Sequence, residues 1–130
     1  MIFDTTFVID IMNREQRAVN KLNELISKRE PQFVTVLTIS ELFSGLSRSK
    51  KPIEERNKIM DALNGQLIIN LDTIAAEKSG EIDGILIKEG KTIRPIDCMI
   101  AGIALLKKEK ILTRNIKDFS KIRGLEIESY

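Results

Sequence analysis

Four carboxylates stand where this chain could assemble chemistry: Asp4, Glu41, Asp97 and Asp118. Asp4 follows the apolar run Met1-Ile2-Phe3, and Glu41 and Asp118 each come shortly after another apolar, strand-like stretch. Asp97 opens a run, Cys98 to Leu106, that holds no charge at all. Carboxylates confined together raise one another's pKa, and a hard divalent cation held by oxygen relieves that repulsion. The same cation can activate water for in-line attack on a phosphodiester. Each acid also has a purely structural explanation. Asp4 and Asp97 sit where helix N-caps would sit, and Glu41 completes the capping-box pattern Thr38-Ile39-Ser40-Glu41. Asp118 suits a solvated turn. The conjunction of the four carries more weight than any one of them.

Composition narrows the chemistry further. The chain of 130 residues contains no histidine and one cysteine. A Ser-His-Asp or Cys-His nucleophilic site is therefore impossible, and a histidine acid–base ribonuclease is excluded with it. Zinc prefers nitrogen and sulfur donors, so any metal here is magnesium, manganese or calcium. Lys plus Arg number 21 against 19 Asp plus Glu, a net charge of +2 that by itself gives no strong nucleic-acid signal. The 42% hydrophobic and 31% charged shares are those of a globular domain, and no stretch reaches the roughly 18 apolar residues of a membrane span. The N-terminal residues show no signal-peptide pattern, and a lone cysteine makes no internal disulfide. Both point to the cytoplasm.

The elements that must position the acids alternate along the chain. Strands are predicted at Met1–Phe3, Phe33–Leu37, Leu67–Ile69 and Lys110–Thr113, with a possible short fifth at Leu125–Ile127. Helices are predicted from Asp4, over 15–29, from the Thr38 capping box, over 52–64, from Asp72 to Gly90 and over 97–107. Residues 114–119 read as a polar loop or single turn. Alternation of this kind gives one α/β domain, residues 1–130, with a mostly parallel sheet of four to five strands covered on both faces. Sites in such sheets form outside the carboxyl ends of the strands, where the strand order reverses.

At this point the motifs Ile2-Phe3-Asp4-Thr5-Thr6, Thr38-Ile39-Ser40-Glu41-Leu42-Phe43-Ser44-Gly45, Pro95-Ile96-Asp97-Cys98-Met99-Ile100-Ala101 and Leu112-Thr113-Arg114-Asn115-Ile116-Lys117-Asp118-Phe119 matter together. In this order and spacing the chain resembles PIN-domain proteins of the VapC-type toxin ribonuclease family along essentially its whole length. The resemblance implies a three-layer α/β/α sandwich and an endoribonuclease dependent on Mg2+ or Mn2+. It implies a catalytic quartet at Asp4, Glu41, Asp97 and Asp118, with Asp4 and Asp97 as direct metal ligands and Thr6, Thr113 and Asn115 as supporting polar groups. It also implies a homodimer and a small VapB-like antitoxin whose C-terminal segment blocks the cleft.

RNA is held mainly through its phosphates, so cations near the cleft are the candidates to bind it: Arg14, Arg48, Lys50, Lys51 and Arg94. Arg114 could touch RNA or the antitoxin, or lie in solvent. Aromatic residues are only 5% of the chain, too few for an extensive stacking platform. Three other readings compete. A PIN nuclease could process RNA without an antitoxin. A catalytically silent PIN module could act as a binding unit, though all four acids are present. A receiver-type signalling domain also collects acids at strand ends, but Asp72 is a poor phosphoacceptor and Asp97 would have no role.

Overall fold

The computed structural model describes residues 1–130. Its strands are short: β1 (Ile2–Phe3), β2 (Phe33–Thr35), β3 (Leu67–Ile69), β4 (Ile111–Leu112) and β5 (Ile127–Glu128). They form one parallel sheet in the order β3-β2-β1-β4-β5. Successive strand side chains point to opposite faces, and here that alternation sorts the core into two layers. Ile2 and Ile111 pack on one side, with Ala75, Ile82, Leu86, Ile100, Ile103 and Phe119. Phe3, Val34 and Leu112 pack on the other, with Phe7, Ala18, Leu25, Leu42 and Ile59.

The helices follow from the same separation. α1 (Thr5–Met12), α2 (Gln16–Ser27), α3 (Val36–Ser47) and α4 (Pro52–Leu63) cover the second face. α5 (Thr73–Lys88), α6 (Pro95–Lys107) and the single turn α7 (Ile116–Phe119) cover the first. The expected three-layer α/β/α sandwich is therefore the observed fold, with a sheet parallel throughout. α6 is the buried helix that its uncharged sequence requires: Cys98, Ile100, Ala101, Ile103 and Ala104 are all buried. No helix is long and apolar enough to cross a membrane.

Several boundaries differ from expectation, and two matter for function. β2 stops at Thr35, whose hydroxyl accepts the Thr38 N–H at 3.3 Å, so Thr35 is the N-cap and α3 starts two residues before Thr38. No capping box exists at Thr38–Glu41, and Glu41 lies inside the helix with its carboxylate free for other partners. α6 likewise begins at Pro95 after an Arg94 cap position, which puts Asp97 inside the first turn and not at the cap. Asp4 does occupy the α1 cap position but makes no side-chain cap bond. Asp72 caps α5 as expected, accepting the Ala75 N–H at 2.8 Å. The fifth strand lies at Ile127–Glu128 rather than 125–127, and residues 116–119 close into a helical turn because Phe119 is wholly buried.

Candidate active site

β1 is central, the chain moves outward from it through β2 to β3, then returns to add β4 and β5 on its other side. The reversal lies between β1 and β4, and a crevice outside their carboxyl ends is where an open α/β sheet places a site. Asp4 is the first residue after β1 and Thr113 the first after β4. Both are buried, and the Thr113 hydroxyl donates to Asp4 Oδ2 at 2.7 Å.

A second hydroxyl, that of Thr6, donates to the same Oδ2 at 3.0 Å. Each hydroxyl is aimed by a backbone N–H from the turn after β4. The Arg114 N–H donates to Thr6 Oγ1 at 3.2 Å and the Asn115 N–H to Thr113 Oγ1 at 2.9 Å. With its lone pairs so engaged, each hydroxyl turns its proton toward Asp4. The other carboxylate oxygen, Oδ1, is buried and has no hydrogen-bond partner. Burial pushes the Asp4 carboxyl above its ordinary value, more than the Thr113 and Thr6 hydroxyls and the Thr5 backbone pull it down.

Asp97 and Glu41 meet above Asp4 through one guanidinium. Arg94 forks onto Asp97, with Nε donating to Oδ2 at 3.1 Å and Nη2 to Oδ1 at 3.0 Å, while Nη1 donates to Glu41 Oε2 at 3.0 Å. Glu41 Oε1 accepts from the Thr5 hydroxyl at 2.7 Å, and that hydroxyl lies 3.1 Å from the buried Thr38 hydroxyl. Burial raises the Asp97 carboxyl further than the Arg94 pair lowers it, and the Asp4 and Glu41 charges add to the rise. Asp4, Glu41 and Asp97 thus form one electrostatically coupled group. In this arrangement no three acidic side chains come together closely enough to hold a metal ion.

Asp118 stands apart from the other three. It bonds Lys121 Nζ at 3.2 Å, and no contact joins it to the cluster. Slight burial opposes the effect, but Asn115 and the Lys121 and Lys117 charges hold its carboxyl below the usual value. Of the expected cations, only Arg94 reaches the acids. Arg48 caps α3 through a Ser44 carbonyl, Lys51 pairs with Glu54 at 3.8 Å, and Arg14 and Lys50 are exposed and bond no acid.

Two groups escaped the sequence reading. Thr5 was part of the first motif but had no assigned role, and it is the residue that orients Glu41. Asp10, buried in α1, receives Arg114 Nε at 2.9 Å and the Tyr130 hydroxyl at 2.6 Å. The Tyr130 ring packs edge-on against Phe7. Nothing in the sequence pairs residues that far apart. Cys98 offers no nucleophile, because burial pushes its thiol up to about 11.

The donor set suits a hard divalent cation. It consists of oxygen alone, it carries three carboxylates, and the buried Asp4 Oδ1 has no hydrogen-bond partner of its own. A cost to the metal-free protein follows. A carboxylate whose pKa is raised by folding stabilises the fold only below its unfolded value, and that contribution is lost as pH rises through the folded value. In chelator at pH 7, Asp4→Asn is therefore expected to melt higher than wild type by on the order of a few degrees, with the gain vanishing near pH 3. Thermal scans at both pH values check this; equal melting at pH 7 would mean that the two threonines fully compensate burial.

Comparison with known proteins agrees with this fold. The PIN domain family model matches residues 1–125. A "tRNA(fMet)-specific endonuclease VapC" from Salmonella typhimurium is 29% identical, over 100% of this chain and 96% of its own length. A protein of the same description from Shigella flexneri is 30% identical over 75% of this chain and 74% of its own. The crystal structure of VapBC2 from Rickettsia felis bound to a promoter DNA fragment superposes with a TM-score of 0.91 at 27% identity, covering 100% of this chain and 99% of that one.

Proposed function

Because the chain belongs to the PIN domain family, we propose that it is a divalent-metal-dependent endoribonuclease and the toxin of a toxin–antitoxin pair. The observation that carries the reading is the buried, unpartnered Oδ1 of Asp4 beside Glu41 and Asp97 at the switch point of the sheet. An oxygen in that state is costly unless something positive meets it. The names of the relatives support RNA as substrate, and the VapBC complexes among the structural neighbours support a VapB-like antitoxin as partner. A homodimer working on cytoplasmic RNA is part of the same proposal.

Asp4 and Asp97 would hold Mg2+ or Mn2+, with Asp4 kept in place by Thr6 and Thr113. When bound, the metal supplies positive charge against the reacting phosphate and lowers the pKa of water. The chain's own groups do the rest. Thr5 fixes Glu41 so that its carboxylate can orient water at the mouth of the cleft. Asp118, more exposed and held by Lys121 away from the other three acids, would join them only when RNA arrives. Tyr130 and Asp10 fix Arg114, and the Arg114 N–H in turn orders Thr6.

The test is purified protein on a mixed transfer and ribosomal RNA substrate. Cleavage is expected with Mg2+ or Mn2+, and its loss in chelator should be reversed when metal is restored. Undiminished cleavage in chelator would remove the metal from the mechanism. Failure to cleave any RNA under either metal would favour the silent binding module.

A further inference from the structure

Arg94 is the only cation bonded to the cluster, and it is placed in an unusual way. Its guanidinium spends Nε and Nη2 on Asp97 and Nη1 on Glu41. The Asp97 side chain is 1% exposed while that of Arg94 is 59% exposed. The acid is fixed in the protein and the base comes in from the solvent side. Pro95 follows directly and restricts the Arg94 backbone to its extended conformation (φ −63°, ψ 140°), so any displacement of the guanidinium runs through side-chain torsions. One guanidinium set against the carboxylates of Asp4, Glu41 and Asp97 cannot balance all three. A divalent cation would need the same carboxylate lone pairs that Arg94 now holds.

We propose that Arg94 is a built-in counter-cation: it holds Glu41 and Asp97 together in the metal-free protein and must swing out before a divalent ion can enter, so that it sets the metal affinity. The inference rests on the metal reading above. The other arginine and lysine near the acids are held elsewhere, Arg114 by Asp10 at 2.9 Å and Lys121 by Asp118 at 3.2 Å. Arg94 therefore has no stand-in. A bidentate guanidinium on a desolvated carboxylate is a strong pair, and its removal leaves a buried charge uncompensated. The side chain that steadies the empty cluster is the one that opposes its filling.

The sign of this effect separates it from an ordinary structural role. Manganese is titrated calorimetrically into wild type, Arg94→Gln and Arg94→Lys, with thermal melting of each in chelator and in Mn2+, and circular dichroism to confirm folding. Arg94→Gln is expected to melt lower in chelator yet bind Mn2+ about tenfold more tightly, because the fraction of sites already open rises. Arg94→Lys keeps the charge but cannot fork, and is expected to fall between the two. Unchanged or weaker Mn2+ binding in folded Arg94→Gln, with wild type binding normally, overturns the proposal and leaves the metal site standing. Absence of Mn2+ binding in all three proteins overturns the metal reading itself, and the inference with it.

Discussion

Asp97→Asn is expected to leave a folded protein that cleaves RNA at least about a thousand-fold more slowly than wild type, since several kcal/mol of metal assistance would go and each 1.4 kcal/mol is about tenfold. The substitution keeps the side chain's shape and removes its charge. Asp97 is 1% exposed, so the change is confined to the cluster and touches no solvent contact. Its Arg94 partner loses two charge-assisted bonds but is exposed enough to hydrate, which limits the structural damage. Asp4→Asn should act in the same direction, and its expected stability in chelator separates loss of chemistry from loss of fold. The measurement is single-turnover cleavage with saturating Mn2+ alongside a melting curve. Wild-type cleavage by either folded variant would end the assignment of that residue.

The second large effect is expected on stability, at Gly102 in α6. A Cβ there would lie 2.6 Å from Ser79 Oγ and 3.1 Å from both the Ala75 carbonyl oxygen and the Ser79 nitrogen. Two of these atoms are α5 backbone, and the Ser79 hydroxyl is itself tied to the Ala75 carbonyl at 2.6 Å. α5 and α6 therefore meet backbone to backbone at this point, and only glycine fits. Gly102→Val is expected to cost about 3 kcal/mol by overpacking, more than offsetting any relief of glycine's entropy. Gly102→Ala gains about 1 kcal/mol of helix propensity and should still lose overall. Adding Ser79→Ala should recover only part, since the backbone clashes remain. Chemical denaturation of the four proteins tests the set. A Gly102→Val protein as stable as wild type would mean that α5 backs away freely.

The sequence disclosed the architecture well because its signals were local. Apolar runs separated by amphipathic stretches led to four strands, a possible fifth and the covering helices, and the uncharged run after Asp97 foretold a largely buried helix. Exact cap positions were harder to read. Thr35 and Thr38 both offer a hydroxyl ahead of a helical pattern, and only the short neighbouring strands show that β2 must end at the first of them. That shift of one turn is what frees Glu41 from capping and sends it to Thr5 and Arg94. Arg94 was read as a cation for RNA because charge alone cannot show that its partners are the acids three and fifty-three residues away. Gly102 is one small residue in the uncharged run, and nothing local in the sequence marks its close approach to α5. The Asp10, Arg114 and Tyr130 contact left no periodic trace at all.

The bond from Thr113 to Asp4 joins residues 109 apart in the chain, and its consequence is one of timing. During synthesis the strand that must lie beside β1 and supply Thr113 emerges only after Asp4 and everything between them. Pairings this distant in sequence form late, because loop closure must precede their reward. Until then β1 has a bare edge and Asp4 lacks both the hydroxyl and the turn that orient it. A nascent chain therefore carries Asp4, Glu41 and Asp97 before the crevice that holds them is complete. For a protein proposed to attack RNA, that order predicts that a copy stays inactive until Thr113 and the turn after it have been made.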